Sequence, residues 1–177
     1  MDKYYYLAAQ IPFLYPDMDE APSYEWFLEE AAKWLTDKDY KKLVAASINQ
    51  YLNGKTGSTA GQGFIHFENN LRRELAKYRK ARKEDYEYRM EGIPMNLVKE
   101  GNPLEIEKKL IIYRWIFLNE LEFGHYSDLD FLIITALKLQ LLARLSAFDR
   151  EKGKEIFDAV VSEKLSQPEN EDQGNQI

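Results

Sequence analysis

Residues 102–148 read NPLEIEKKLIIYRWIFLNELEFGHYSDLDFLIITALKLQLLARLSAF, and this stretch decides the fold. It divides into two long helices around the corner Gly124-His125-Tyr126-Ser127. Pro103 suits a first helical turn, where a backbone N–H has no partner to lose. Asn102 before it can cap the orphan N–H groups. Gly124 supplies the left-handed conformation that ends a helix. Ser127 and Asp130 have the spacing of a capping box for the helix that follows. In that helix Leu129, Phe131–Ile134, Ala136, Leu137, Leu139, Leu141–Ala143 and Leu145 cover nearly the whole circumference. A helix apolar all round must be enclosed by protein or by lipid. Lys138, Gln140 and Arg144 argue against lipid, where each charge is costly. The expected fold is therefore an all-α, single-domain helical bundle built on a long helical hairpin.

Working outward, the final helix is expected from Asp149, with Ile156, Phe157, Val160, Val161 and Leu165 on one face. Residues 1–165 form the expected bundle domain. The remainder, SQPENEDQGNQI (166–177), is polar, acidic and without aromatics, the composition of a disordered tail. On the first hairpin helix the inner face comprises Ile106, Leu110, Ile111, Phe117, Leu118 and Leu121. Upstream, EGIPMNLVKEG (91–101) is a connector broken by Pro94. From Phe64 to about Tyr88 runs another long helix, with Phe64, Phe67, Leu71, Leu75, Tyr78 and Arg82 on a seam. Asn53–Gly63, NGKTGSTAGQG, reads as a mobile loop by composition. Two short helices precede it, one starting at Ser23 with Trp26, Phe27, Ala31 and Trp34, the other starting near Thr36 and continuing to Tyr51. Tyr4–Ile11 is read as a strand or extended segment, limited by Pro12 and Pro16.

Composition narrows the chemistry. The chain has 177 residues, no cysteine, two histidines and a formal net charge of −6. Thiolate catalysis, disulfides and zinc–thiolate sites are thereby excluded. The acidic balance disfavours nucleic acid and anionic membrane as partners. MDKYYYLAAQIP lacks the pattern of a secretory signal. A cytoplasmic location is expected, with any membrane attachment peripheral and through a complex.

Three candidate sites emerge. Gly54-Lys55-Thr56 suggests a phosphate-binding loop, but that motif requires glycine where Asn49 stands. Glu122-x-x-His125 has the spacing found in carboxylate-bridged metal bundles, which require a second such motif. His66 has Gly63 three residues before it, and Gly124 interrupts the first pair. The alternative for Glu122 and His125 is hydrogen bonding to backbone that fixes the angle of the corner. The third candidate is a structural polar cluster of Glu68, Arg72, Glu107 and Arg114, charges flanked by apolar residues that must pair if buried, Glu68 with Arg72 one turn on and Arg114 with Glu68 or Glu107. Alongside these, Arg72, Arg73, Lys77, Arg79, Lys80 and Lys83 make one helix face basic. That face is either a docking strip for an acidic partner or an ordinary solvated surface.

KYYYLAAQIP (3–12), FENNLRRELAKYRKAR (67–82) and above all residues 102–161 resemble an uncharacterised bacterial family encoded beside V/A-type ATPase subunits. NPLE and ELEFGHYSDLDFL are the strongest marks. That family is in turn distantly similar to the helical stalk cap of V-type ATPases, the component that couples the rotating central stalk to the membrane ring. The resemblance implies a non-enzymatic accessory or stalk component of such an ATPase, partnered by other subunits, without cofactor or catalytic residues. The competing expectations are a metal-binding enzyme using Glu122 and His125, and a helical adaptor that takes a peptide in an apolar groove.

Overall fold

The computed structural model describes residues 3–18, 20–49, 57–148 and 158. Helices account for all the regular structure among them. The chain divides into a unit spanning Met1–Leu145 and a second spanning Ser146–Ile177. Most of the second unit, including the expected Asp149–Leu165 helix and the 166–177 tail, lies outside the described residues, as does Gly54-Lys55-Thr56.

Local sequence sets several boundaries. Helix α2 (Tyr24–Trp34) starts where the Ser23 side chain accepts the Trp26 N–H, and α3 (Asp37–Val44) where Thr36 accepts that of Asp39. The short polar side chains satisfy donors that have no carbonyl partner in the first turn. Helix α3 ends at Val44, short of the expected Tyr51. The following turn is held by a residue far away in sequence. Gln140 accepts the Ile48 N–H and donates to the Ala46 carbonyl, at 3.1 and 2.9 Å.

The segment expected to be extended is instead a short helix, α1 (Lys3–Ala8). A strand would need a neighbouring strand to satisfy its backbone, and the described residues contain none. Helical spacing instead carries Tyr4 and Leu7 toward the same side. Leu7 is fully buried, the Tyr4 hydroxyl donates to Asp39, and Tyr6 stacks on Trp34. Beyond Pro12, Leu14 is buried as well. The N-terminal segment thus packs within its own chain.

Helix α4 (Thr59–Lys83) begins five residues earlier than Phe64, inside the stretch expected to be a mobile loop. Its N-cap is Ser58, and Ala60 and Gly61 are buried. At Gly63 a methyl group would come within 3.3 Å of the Leu121 side chain. Small residues here permit close approach of α4 to α6 (Pro103–Glu122), a packing role that composition mistakes for flexibility. The 91–101 connector is likewise more structured than expected. Its short helix α5 (Asn96–Lys99) brings Val98, together with Met90 and Ile93, into a cluster with Leu71, Leu75 and Leu110.

The hairpin is as the sequence required. Asn102 and Glu105 form a reciprocal capping box at the start of α6. Gly124 has φ +90° at the corner. Asp128, rather than Ser127, caps α7 (Leu129–Ser146) by accepting the Phe131 N–H at 2.8 Å. Asp130 accepts from Ser58 Oγ, so the expected Ser127–Asp130 box does not form. Every residue from Leu132 to Leu139 is buried, which confirms α7 as the enclosed rod of the bundle. On α6 the buried positions are Leu110, Ile111, Trp115 and Leu118. Ile106, Phe117 and Leu121 are only partly covered. Phe117 nevertheless stacks on Phe67 of α4, with centroids 4.0 Å apart. No helix among the described residues is long and apolar enough to cross a membrane.

Candidate functional site: an arginine-lined cleft and its ion-pair braces

Glu68 projects from the buried side of α4 and is 1% exposed. Two arginines hold it. Arg72, one turn on, donates through Nε at 2.6 Å. Arg114 of α6 donates twice, from Nε to Oε2 and from NH2 to Oε1, both at 2.9 Å. This parallel pairing matches the guanidinium fork to the carboxylate, the strongest form of such a contact. The expected cluster therefore exists around Glu68, Arg72 and Arg114. Glu107 does not complete it. The Glu107 carboxylate instead reaches across to Arg144 of α7, at 2.8–2.9 Å. The two ion pairs tie α4 to α6 and α6 to α7.

A cavity of about 370 Å³ lies over these pairs. Arg72, Arg79, Arg114 and Arg144 line it, with Glu107 as the carboxylate on its wall. Ile48, Leu75, Leu110, Ile111 and Leu141 give it an apolar surface. Arg79 has no ion pair or hydrogen bond among the described residues, unlike the other three arginines. The expected docking strip is thereby divided. Arg72 and Arg79 belong to the cleft, while Arg73, Lys77, Lys80 and Lys83 are exposed. Of these, Lys77 pairs with Glu74 at 2.7 Å, Lys80 lies 3.9 Å from Glu84, and Arg73 donates to Asn70.

Glu74 forms a second buried node that sequence spacing did not single out. Its carboxylate accepts from Lys77 Nζ at 2.7 Å, the Tyr88 hydroxyl at 2.7 Å and the Glu91 N–H at 3.1 Å. These donors, Lys77 foremost, hold its pKa at about 2 against the opposing effect of burial. The same contact raises Lys77 above its ordinary value, and the hydrogen bond to Glu74 raises Tyr88. Since Glu74 ionises more readily in the folded chain, the native state binds fewer protons than the unfolded one between about pH 2 and 4.5. Its contribution is fully present above that window and is lost as pH falls through it. Glu74→Gln is therefore expected to lower the urea midpoint most above pH 5. The gap between variant and parent should close toward pH 2. A gap independent of pH would show that the charge on Glu74 is immaterial.

The Glu122–His125 pair does not converge. Glu122 accepts from Lys138 Nζ, and His125 Nδ1 bonds to the Asp128 carboxylate, so both take side-chain partners instead of the expected backbone ones. Lys138 is 4% exposed and sits with Nζ 5.4 Å from the Trp115 ring centroid. A buried ammonium thus has both a carboxylate and an aromatic face. Gly124 between Glu122 and His125 turns the chain, so their side chains serve different partners. His66 is exposed beside a shallow depression that includes Ser58, Gln62 and Gly63. Among the described residues no three His, Asp or Glu side chains are grouped to hold a metal ion.

Fold and braces define an all-α bundle clasped by buried carboxylate–arginine and carboxylate–lysine pairs. Residues 91–166, under half of the chain, match the model of a family described as a protein of unknown function, DUF2764. No curated protein and no solved structure matches the chain.

Proposed function

We propose that the chain is a non-enzymatic accessory or stalk component of a bacterial V/A-type ATPase, similar in role to the helical stalk cap. It acts as a rigid scaffold through which neighbouring subunits are held. The observation that carries this reading is the surface at the α6–α7 corner. Phe123 is 87% exposed and Tyr126 76% exposed, both within the ELEFGHYSDLDFL stretch that carries the resemblance. Phe13, 86% exposed, belongs to the N-terminal segment that lines a pocket shared with Glu122. Large aromatic side chains left uncovered at one place are the usual anchors of a protein interface. Behind them, the Glu122–Lys138 pair and the enclosed α7 supply a stiff support.

The test is affinity purification of the tagged chain from its native cells, with and without Phe123→Ser and Tyr126→Ser together. The parent is expected to bring down V/A-type ATPase subunits and the double variant to lose at least about 90% of them. Such surface changes shift stability by only about 0.5 kcal/mol each, so a lost partner reports the contact and not the fold. An ATPase purified intact without this chain, together with an empty pull-down, would reject the proposal.

A further inference from the structure

We propose that the arginine-lined cleft binds a small organic phosphate monoester. This goes beyond the scaffold role and does not depend on it. Four arginines meet in the cleft, and among the described residues Glu68 and Glu107 are the carboxylates ion-paired with them. Counted over these described groups, four arginines against two carboxylates leave two positive charges in excess, in a chain whose overall charge is −6. If the arginines served as braces alone, each would end on a carboxylate. Arg79 ends on none among the described residues, yet it borders the same cavity as the two paired sets. A cationic excess held in a cleft is best matched by a dianion. A phosphate monoester carries close to two negative charges at neutral pH and offers three acceptor oxygens. Guanidinium groups suit that head because their N–H donors are arranged as a planar fork.

The rest of the cavity selects the ligand's other end. Leu75, Leu110, Ile111 and Leu141 form an apolar wall beside the cationic one. A volume of about 370 Å³ falls within the range of small-molecule pockets. Inorganic phosphate would use the arginines and leave that wall uncovered. An organic phosphate would cover both.

Calorimetric titration of the full chain at low ionic strength separates the cases. Phenyl phosphate is expected to bind saturably, one per chain, and at least about tenfold more tightly than inorganic phosphate or succinate. Arg79→Ala should weaken phenyl phosphate by about tenfold or more, the scale of a lost charge-assisted hydrogen bond. Lys83→Ala, a charge removed from the same helix outside the cleft, should leave it unchanged. Because Arg79 is exposed and has no ion pair among the described residues, its variant should retain the parental urea midpoint. Absence of saturable binding would overturn the assignment. So would equal loss in Arg79→Ala and Lys83→Ala, which would mean nonspecific attraction, or succinate binding as tightly as phenyl phosphate.

Discussion

Arg114→Ala is expected to destabilise the bundle by about 3–5 kcal/mol, the cost of leaving a buried carboxylate without its main partner. Glu68 is 1% exposed, and Arg114 supplies two of its three charged hydrogen bonds from a side chain only 13% exposed. Water cannot replace those bonds at so covered a site. Arg72 contributes the third from a side chain 39% exposed, where solvent screens the pair. Arg72→Ala should therefore cost about 1 kcal/mol or less. Chemical denaturation of both variants measures the contrast. Combining Glu68→Gln with Arg114→Met should recover most of the loss, because no unpaired charge remains. If Arg114→Ala proved as mild as Arg72→Ala, Glu68 would have to be solvated in the native state, and the brace would not exist.

Leu132→Ala should cost about 2–5 kcal/mol, the range for removing a large aliphatic side chain from a filled core. Leu132 is fully buried, as are Ile133 and Ile134 beside it and Leu118 on α6. With neighbours on all sides of α7, collapse into the vacated space is limited. Ile116→Ala, on a residue of similar size that is 50% exposed, should change stability by no more than about 0.5 kcal/mol. The comparison asks whether apolar content or enclosure sets the energy, since the two residues differ little in hydrophobicity.

Much of this arrangement was legible in the amino-acid sequence where the physics is local. Ser23, Thr36 and Asn102 announce helix starts because capping depends on side chains within three residues. The α7 run demands enclosure because its apolar residues leave no polar face. What failed was information held by distant neighbours. Residue type and burial left Arg114 two carboxylates to choose from, Glu68 and Glu107, and it takes Glu68 across the helix interface. Glu107, two turns from Arg114 on the same helix, pairs instead with Arg144 of α7, a partner that spacing does not reveal. Lys138 looked like an interruption of an apolar rod and is in fact buried against Glu122 and Trp115. Glycine and serine at residues 57–63 suggested mobility, whereas Ser58 is a helix cap and Gly61 and Gly63 are packing positions. The aromatic N-terminus suggested a strand, yet its covering partners are helices α2 and α3, which a local pattern does not reveal.

The same limit applies to the site. The types of residue at Glu68, Arg72 and Arg114 identified a buried polar cluster, but the cleft above it depends on Arg79 and Arg144 arriving from separate helices. Glu74 escaped notice because its partners include a backbone N–H at Glu91, a donor that every residue except proline possesses and no pattern marks.

Native-state hydrogen exchange tests most directly whether the Met1–Leu145 unit is a stiff body built around one enclosed helix. Amides from Leu132 to Leu139 should be the slowest in the Met1–Leu145 unit and should exchange only through global unfolding. In Leu132→Ala their opening free energies should fall by the same amount as the stability measured in denaturant. Exchange of those amides through local opening, faster than that of α4 and unaffected by the substitution, would contradict it.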